Sequence, residues 1–191
     1  MRNFWSFTLL AGLLSAPLAA EAPVHLRSLE QQLSSIEAAN PGNVGIAALD
    51  LSTGDMVAVR GDEAFPMAST VKVAIAAEYM AQVERGRRSL DTIIGGKPAR
   101  QLLEEMIIHS NNLSTDIILR DLGGPTQVQR WLSDNDVSGL RIDRNIAQLL
   151  AARRDLSDRR DSSTPKAMVK LLQRIDSATL ITPTSRNFLL S

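Results

Sequence analysis

The stretch Phe65-Pro66-Met67-Ala68-Ser69-Thr70-Val71-Lys72-Val73 decides how the rest of the chain is interpreted. It leads into a helix-forming run that is apolar on nearly every side and extends to Val83, ahead of Gly86. The pattern therefore predicts a buried helix over 71–83 that ends at this glycine. Ser69 would precede the first turn, where free backbone N–H groups and the positive helix end favour negative charge. Lys72, three residues later, would share its face.

Ser69 and Lys72 form a Ser-x-x-Lys pair in which the lysine can act as a base. Burial lowers the pKa of a lysine because it disfavours the charged form, and a neutral amine can accept a proton from a serine hydroxyl. A second Ser-x-x-Lys occurs at 163–166, where threonine followed by proline predicts a capped helix start, and Lys166 is interpreted as a solvated side chain. The tetrapeptide therefore indicates catalysis only in a suitable context.

Composition restricts the possible functions. The 191 residues suit one domain or two small lobes. Equal numbers of basic and acidic residues, 21 of each, give no electrostatic reason to expect a nucleic acid or anionic membrane partner. The sequence has no cysteine, which excludes disulfides and a thiol nucleophile, and its two histidines do not form a His-Glu-x-x-His motif. We therefore expect neither a metal nor a cofactor.

The first twenty residues are typical of a secretory signal peptide. Arg2 supplies a positive start, residues 4–14 are apolar but too few to span a bilayer, and small residues follow. We expect cleavage after Ala20, with Ala22 as the alternative site, and a retained anchor as the alternative interpretation. The mature protein would be periplasmic or secreted, with no stable membrane anchor.

Apolar periodicity predicts a largely helical chain with one hairpin. Two strands, 44–51 and 56–60, are joined by a Ser-Thr-Gly-Asp turn, and two strands alone make a marginal sheet. Helices are predicted at 26–39, 71–83, 99–109, 114–122, 126–134, 164–175 and 184–191.

Four segments, taken together and in this order, resemble the class A serine β-lactamases, relatives of the penicillin-binding transpeptidases and carboxypeptidases. The segments are the hairpin at 44–54, the serine stretch at 65–73, Ser110-Asn111-Asn112 with the Leu-Gly-Gly-Pro at 122–125, and the paired ends 141–144 and 160–165 of an omega-type loop.

The resemblance implies an α+β, β-lactamase/transpeptidase-like fold, with an all-α lobe set against an α/β lobe. After the signal peptide at 1–20, residues 21–191 would form an incomplete catalytic domain. Its parts would be the α/β lobe at 21–67, the all-α lobe at 68–164 with its omega-type loop at about 141–164, and return helices at 165–191. The C-terminal strands of the family's sheet are missing here, and we interpret the chain as a fragment of a longer one, with a naturally short protein as the alternative.

The resemblance also implies acyl transfer on a small-molecule β-lactam or a cell-wall peptide, performed by a monomer. Ser69 would be the nucleophile, Lys72 its base, and Ser110 the residue that relays a proton to the leaving nitrogen. Asn112 would hold the amide side chain of the substrate. The backbone N–H of Ser69 would be one of two donors to the developing oxyanion.

Three departures from the family pattern affect this chemistry. No lysine after Lys72 is followed by Ser/Thr-Gly, so the family's Lys-Thr-Gly strand is absent. The family's hydrolytic glutamate is replaced by Ile146, and no glutamate occurs from 141 to 164. The acyl-enzyme would then form more readily than it breaks down. Asp155 or Asp158 in the charged run could substitute for this glutamate, with a solvated or ion-paired role as the alternative interpretation. Asn111 replaces an aspartate but can still hydrogen-bond to the backbone, while Asp116 replaces an asparagine and is a further candidate base.

The resemblance gives a structural role to four charged residues at the loop ends, whose ion pairs would hold those ends together: Asp143, Arg144, Arg160 and Asp161. Two alternative functions stay open. One is a serine DD-peptidase or esterase of the same superfamily, and the other is a non-catalytic remnant that binds β-lactams weakly or not at all.

Overall fold

Helices dominate the part of the chain that this computed structural model describes, residues 22–153, 155 and 157–191. The predicted signal peptide at 1–20 lies outside these residues. Short 3-10 turns at Val24–Leu26 and Ala68–Thr70 lead into the first two helices. The helices are α1 (Arg27–Ala39), α2 (Val71–Glu84), α3 (Ala99–Ile107), α4 (Asn112–Leu122), α5 (Pro125–Asp134), α6 (Ile146–Ala151), α7 (Pro165–Asp176) and α8 (Pro183–Leu190). The predicted helices are confirmed to within two residues at each end; α6 was not predicted.

The strands are short and form three small antiparallel sheets within the described residues. They are β1 (Ile46–Leu49), β2 (Met56–Val59), β3 (Phe65–Pro66), β4 (Ile93–Ile94), β5 (Lys97–Pro98), β6 (Leu140–Arg141) and β7 (Ser162–Ser163). The predicted hairpin is β1–β2, and β4–β5 is a second, smaller one. The third sheet has the order β3-β7-β6, which joins the stretch before Ser69 to a segment almost a hundred residues later.

The core is built around α2. This helix packs against α3, α4, α5 and α8, because apolar side chains on nearly every side of a helix require neighbours on every side. Its Ile75 and Tyr79 are among the largest fully buried side chains, together with Leu102, Leu103, Met106, Ile118, Leu119, Leu132 and Leu171 from the surrounding helices. The first turn of α2, which carries Lys72, therefore begins a helix that is buried along most of its length.

The β1–β2 hairpin lies between two helices, with α1 against β2 and α7 against β1. Two strands are too narrow to cover the apolar stripe of α1, so Leu29 and Ile36 remain 41% and 55% exposed. The hairpin thus forms a layer of only two strands, β1 and β2, between α1 and α7.

The interpretation of Lys166 as a solvated side chain is wrong. Thr164 caps α7 as predicted, with its hydroxyl oxygen accepting from the Ala167 N–H. Lys166, however, is half-buried and its Nζ lies 2.7 Å from Asp62 Oδ2. The physical reason is nonlocal: the Lys166 N–H donates to the Gly61 carbonyl and so brings the loop with Asp62 beside the helix start.

A buried carboxyl group lies in the middle of α2. Glu78 is 0% exposed, and among the described residues neither of its carboxyl oxygens has a hydrogen-bond partner of normal geometry. Burial raises the pKa of Glu78 above its ordinary value of 4.5, because the charged form is disfavoured there. The amides of Gln127 and Gln82, and the charges of Arg88 and Arg85, only partly oppose this.

The substitution Glu78→Gln is expected to stabilise the protein at pH 8 but not near pH 4.5. A raised pKa in the folded state means that the stability contributed by the protonated carboxyl is present below the unfolded pKa and lost as pH rises through the folded one. At pH 8 the gain should be about 1–3 kcal/mol, the usual cost of an unpaired buried polar group, or about 2–10 °C in Tm. Thermal unfolding from pH 4.5 to 8 measures this, with the exposed Glu104→Gln as control. Parallel profiles for Glu78→Gln and wild type would contradict the assignment.

Candidate active site

Ser69 and Lys72 lie on consecutive turns at the start of α2. Ser69 is in the 3-10 turn before the helix and is exposed, whereas Lys72 is in the first α-helical turn and is only 2% exposed. Lys72 Nζ is 3.3 Å from Ser69 Oγ. The lysine therefore reaches the hydroxyl from inside the protein, while the hydroxyl itself faces solvent.

The turn between α3 and α4 brings two more predicted residues to the same place. Lys72 Nζ donates to the Ser110 carbonyl oxygen at 2.6 Å, to Ser110 Oγ at 2.8 Å and to Asn112 Oδ1 at 2.9 Å. Ser110 Oγ in turn donates to Ser69 Oγ at 3.0 Å. An ammonium has three protons, so these oxygens offer Lys72 more acceptors than it can use at once. The four predicted side chains form one hydrogen-bonded cluster.

The electrostatic surroundings of Lys72 consist of burial and one nearby carboxylate. Burial lowers the pKa of Lys72 from its ordinary value of 10.5, and the negative charge of Asp116 opposes this by raising it. The lysine can therefore lose its proton more easily than a lysine in water, to a degree that Asp116 limits.

Asp116 itself is bound to the backbone of α6. Its Oδ1 accepts from the Ile146 N–H at 2.7 Å and its Oδ2 from the Ala147 N–H at 2.9 Å. These are unpaired donors at a helix start, where a carboxylate is favoured. Both oxygens of Asp116 are thus occupied by the loop, an arrangement that favours a structural role for this residue.

Left-handed backbone at non-glycine residues surrounds the cluster. Ala68 has φ +47°, Ser110 has φ +51° and Asp161 has φ +53°. Such conformations cost of order 1–3 kcal/mol each and persist where the surrounding structure fixes them. Around Ser110 the fixing contacts include Asn111, whose side chain accepts from the Ser114 N–H as the cap of α4.

The two ends of the predicted omega-type loop meet through Arg144 and Asp161. Arg144 Nε is 2.5 Å from Asp161 Oδ2, and Asp161 Oδ1 accepts from the N–H groups of Asp143 and Arg144. Arg160 does not take part in this contact, because its guanidinium pairs with Asp158 on the same loop end, at 2.8 Å. The loop is also tied to the serine stretch, since the Met67 N–H donates to the Asp161 carbonyl at 2.9 Å.

Sequence reasoning missed Glu105, and it expected Asp158 to be either a replacement base or a solvated or ion-paired residue. Glu105 lies in α3 and accepts from Ser114 Oγ behind the Ser110–Asn112 turn, while Asp158 pairs with both Arg160 and Arg144. Neither carboxylate stands in a motif, and each is identified only by partners that the fold supplies.

Comparison with known proteins identifies the family. A model described as "Beta-lactamase enzyme family" matches residues 28–191. The chain belongs to this family. Its relatives include a Beta-lactamase of Proteus vulgaris, 31% identical over 78% of this chain and 55% of the relative. Another is Beta-lactamase L2 of Stenotrophomonas maltophilia, 30% identical over 82% and 58%. The chain spans a little over half the length of these two relatives.

Solved structures of the family have the same fold. An ancestral (GNCA) class A beta-lactamase superposes with a TM-score of 0.79 at 33% identity, covering 84% of this chain and 68% of that one. A beta lactamase from Xanthomonas campestris gives 0.79 at 25% identity, with 85% and 67% covered. The predicted α+β, β-lactamase-like fold and the resemblance to class A are confirmed.

Two other kinds of feature are absent from the described part of the molecule. None of its helices combines the length and apolar character needed to cross a membrane. It also contains no group of three or more His, Asp or Glu side chains arranged to hold a metal ion.

Proposed function

We propose that this chain is a serine hydrolase of the class A β-lactamase type that is acylated at Ser69 by β-lactams. The observation that carries the proposal is the cluster in which Lys72 Nζ contacts Ser69 Oγ, Ser110 Oγ and Asn112 Oδ1. A nucleophile, a buried amine and a relay hydroxyl within hydrogen-bond reach of one another are the parts that acyl transfer needs.

The proposed reaction begins with attack of Ser69 Oγ on the lactam carbonyl carbon. The neutral amine of Lys72 accepts the Ser69 proton, and the 3.3 Å contact between them shortens as this happens. The carbon–nitrogen bond of the ring then breaks. Ser110 Oγ gives its proton to the ring nitrogen and recovers one from Lys72, whose Nζ lies 2.8 Å away. The products are an ester on Ser69 and an opened ring, with no proton left over.

The oxyanion that develops during acylation needs backbone N–H donors. The Ser69 backbone N–H would supply one donor, at the start of α2 where the helix dipole assists. In the family the second donor comes from the Lys-Thr-Gly strand, a sequence that this chain lacks. Each such donor typically contributes ~10²–10³ in rate.

Hydrolysis of the acyl-enzyme is proposed to be impaired. Ile146 occupies the position of the family's hydrolytic glutamate and is 6% exposed. Asp116, the other candidate base, has both oxygens engaged by backbone N–H groups. Asp155 and Asp158, the remaining candidates among the described residues of the loop, are engaged by Ser157 and by Arg144 and Arg160. We therefore expect the adduct to persist.

The absence of the hydrolytic glutamate also favours a second candidate function. This is a DD-peptidase or esterase of the superfamily that acts on a cell-wall peptide. Such an enzyme would be trapped by penicillin yet turn over its own acyl substrate.

We further propose that the chain is exported by the segment 1–20 and acts in the periplasm or outside the cell. The division into lobes at 21–67, 68–164 and 165–191 is supported by β1 and β2 falling in the first and α2 to α6 in the second.

The proposal is tested by the intact mass of the purified protein before and after minutes with benzylpenicillin. We expect a stoichiometric adduct that outlives removal of the free drug, with little turnover of a chromogenic cephalosporin. Release of D-alanine from a D-Ala-D-Ala peptide would favour the DD-peptidase. A folded protein that gives no adduct, no turnover and no peptide cleavage would overturn the enzyme proposal and leave the non-catalytic remnant.

The substitution Asp116→Asn is expected to move the pH dependence of acylation to lower pH. Asp116 raises the pKa of Lys72, so removal of its charge lowers that pKa further and increases the neutral fraction of the lysine at a given pH. The rate of adduct formation measured from pH 6 to 10 gives the midpoint. The exposed Asp134→Asn is a matched control. A midpoint that stays in place, or that rises, would contradict the role of Lys72 as base.

A further inference from the structure

A carboxylate outside the catalytic cluster holds the turn that carries Ser110 and Asn112. Glu105 lies in α3, one turn before this segment, and its side chain is half-buried. One oxygen, Oε2, accepts from Ser114 Oγ at 2.6 Å. The other, Oε1, accepts from Lys97 Nζ at 2.6 Å. The carboxylate therefore joins the β4–β5 hairpin, through Lys97, to the first turn of α4.

Ser114 connects this carboxylate to the turn itself. Ser114 is buried, and its N–H donates to Asn111 Oδ1 at 2.9 Å. The Asn111 N–H donates back to the Glu105 carbonyl oxygen, also at 2.9 Å. Glu105, Ser114 and Asn111 thus form a closed ring of hydrogen bonds, which we call the turn clamp. Two of its members, Asn111 and Ser114, lie next to or close to Ser110 and Asn112 along the chain.

The turn needs such support because its backbone is strained. Ser110 has φ +51°, a conformation that a non-glycine residue keeps only where other contacts impose it. The same residue supplies two of the acceptors of Lys72, its carbonyl oxygen and its hydroxyl. A relaxed turn would therefore move these two oxygens and Asn112 Oδ1 away from Nζ together.

We propose that Glu105 is a positioning residue for the acylation reaction, acting through Ser114 and Asn111 on Ser110 and Asn112. The inference rests on the proposed function. Among the described residues the Glu105 carboxylate accepts from Lys97, Gln101 and Ser114 and not from Ser69 or Lys72, and the carboxylate whose charge acts on Lys72 is Asp116. Its effect is thus geometric. Loss of the clamp should slow acylation and, because the ammonium of Lys72 loses hydrogen-bond acceptors, should lower the pH at which Lys72 loses its proton.

The experiment compares Glu105→Leu, Glu105→Gln, Ser114→Ala and the double variant Glu105→Leu/Ser114→Ala. At saturating benzylpenicillin we expect Glu105→Leu to acylate about 10–100-fold more slowly, because small misplacements of reacting groups carry penalties of this size. Glu105→Gln keeps an acceptor for Ser114 and should stay within about threefold of wild type. The double variant should be no slower than the slower single variant, since both break one ring.

Two further measurements separate positioning from loss of folding and from failure of the proposed function. The acylation pH midpoint should move to lower pH in Glu105→Leu but stay at the wild-type value in Glu105→Gln, which keeps the turn in place without the charge, and the exposed Glu104→Leu should behave as wild type throughout. Hydrogen exchange of the Asn111 and Ser114 amides, measured without any β-lactam, should accelerate in Glu105→Leu while amides of α2 stay protected. Wild-type acylation by Glu105→Leu, additive effects in the double variant, or unchanged exchange would each overturn the inference. If wild type forms no adduct, the proposed function fails, and exchange alone decides whether Glu105 holds the turn.

Discussion

Ser69→Ala is expected to abolish the penicillin adduct. Ser69 Oγ is the exposed hydroxyl that both Lys72 Nζ and Ser110 Oγ contact, and removal of an activated nucleophile leaves no group that can form the ester. We expect the rate of adduct formation to fall by at least ~10³-fold, in line with the largest losses seen on deleting catalytic nucleophiles. Intact mass after incubation with benzylpenicillin measures this directly.

The chain offers a matched control in its second Ser-x-x-Lys. Ser163 lies in β7, and Lys166 pairs with Asp62 rather than with a serine. Ser163→Ala should therefore keep the adduct. Formation of an adduct by Ser69→Ala, or its loss in Ser163→Ala with an unchanged Tm, would place the nucleophile elsewhere.

Ile146→Glu is expected to convert a lasting adduct into one that is hydrolysed. The position lies at the first residue of α6, where the helix dipole favours a carboxylate. There the new group would supply the general base that the site lacks, and such bases contribute typically 10²–10⁴-fold. We expect the lifetime of the penicillin adduct to shorten by ~10²-fold or more, measured as decay of the adduct mass after the drug is removed.

The control for this substitution is Ala147→Glu, which adds the same charge to the same helical turn at an exposed position. It should leave the adduct lifetime unchanged. Ile146 is buried, so the glutamate variant should lose about 1–3 kcal/mol of stability, and Tm must show that it is folded. A folded Ile146→Glu with an undiminished adduct lifetime would mean that this position does not face the ester.

Local patterns predicted the helices and the cluster, and they failed where the fold decides. The apolar run after Ser69 predicted α2, and the resemblance to class A β-lactamases implied that Ser110 and Asn112 would belong to the same site as Ser69 and Lys72. The two-residue strands β3, β6 and β7 carry no periodicity of their own, because their pairing depends on partners far along the chain. A pattern of two residues cannot be distinguished from loop.

The charged residues show the same limit. Arg144 and Asp161 join the loop ends, but Arg160 turns to Asp158 within its own segment. Sequence alone cannot choose between two nearby carboxylates, since the choice depends on backbone geometry. Lys166 and Glu105 have partners in Asp62 and in Lys97 and Ser114 that only the packed chain brings close.

The left-handed residues around the cluster have an evolutionary consequence. Glycine adopts positive φ at no steric cost, yet this chain has Ala68, Ser110 and Asp161 there. At two of these positions the side chain is needed, for the hydroxyl beside Lys72 and for the carboxylate that binds Arg144. A change to glycine would relieve the backbone strain but remove the hydroxyl or the carboxylate. We therefore expect family members that keep this site to keep non-glycine residues at the positions of Ser110 and Asp161.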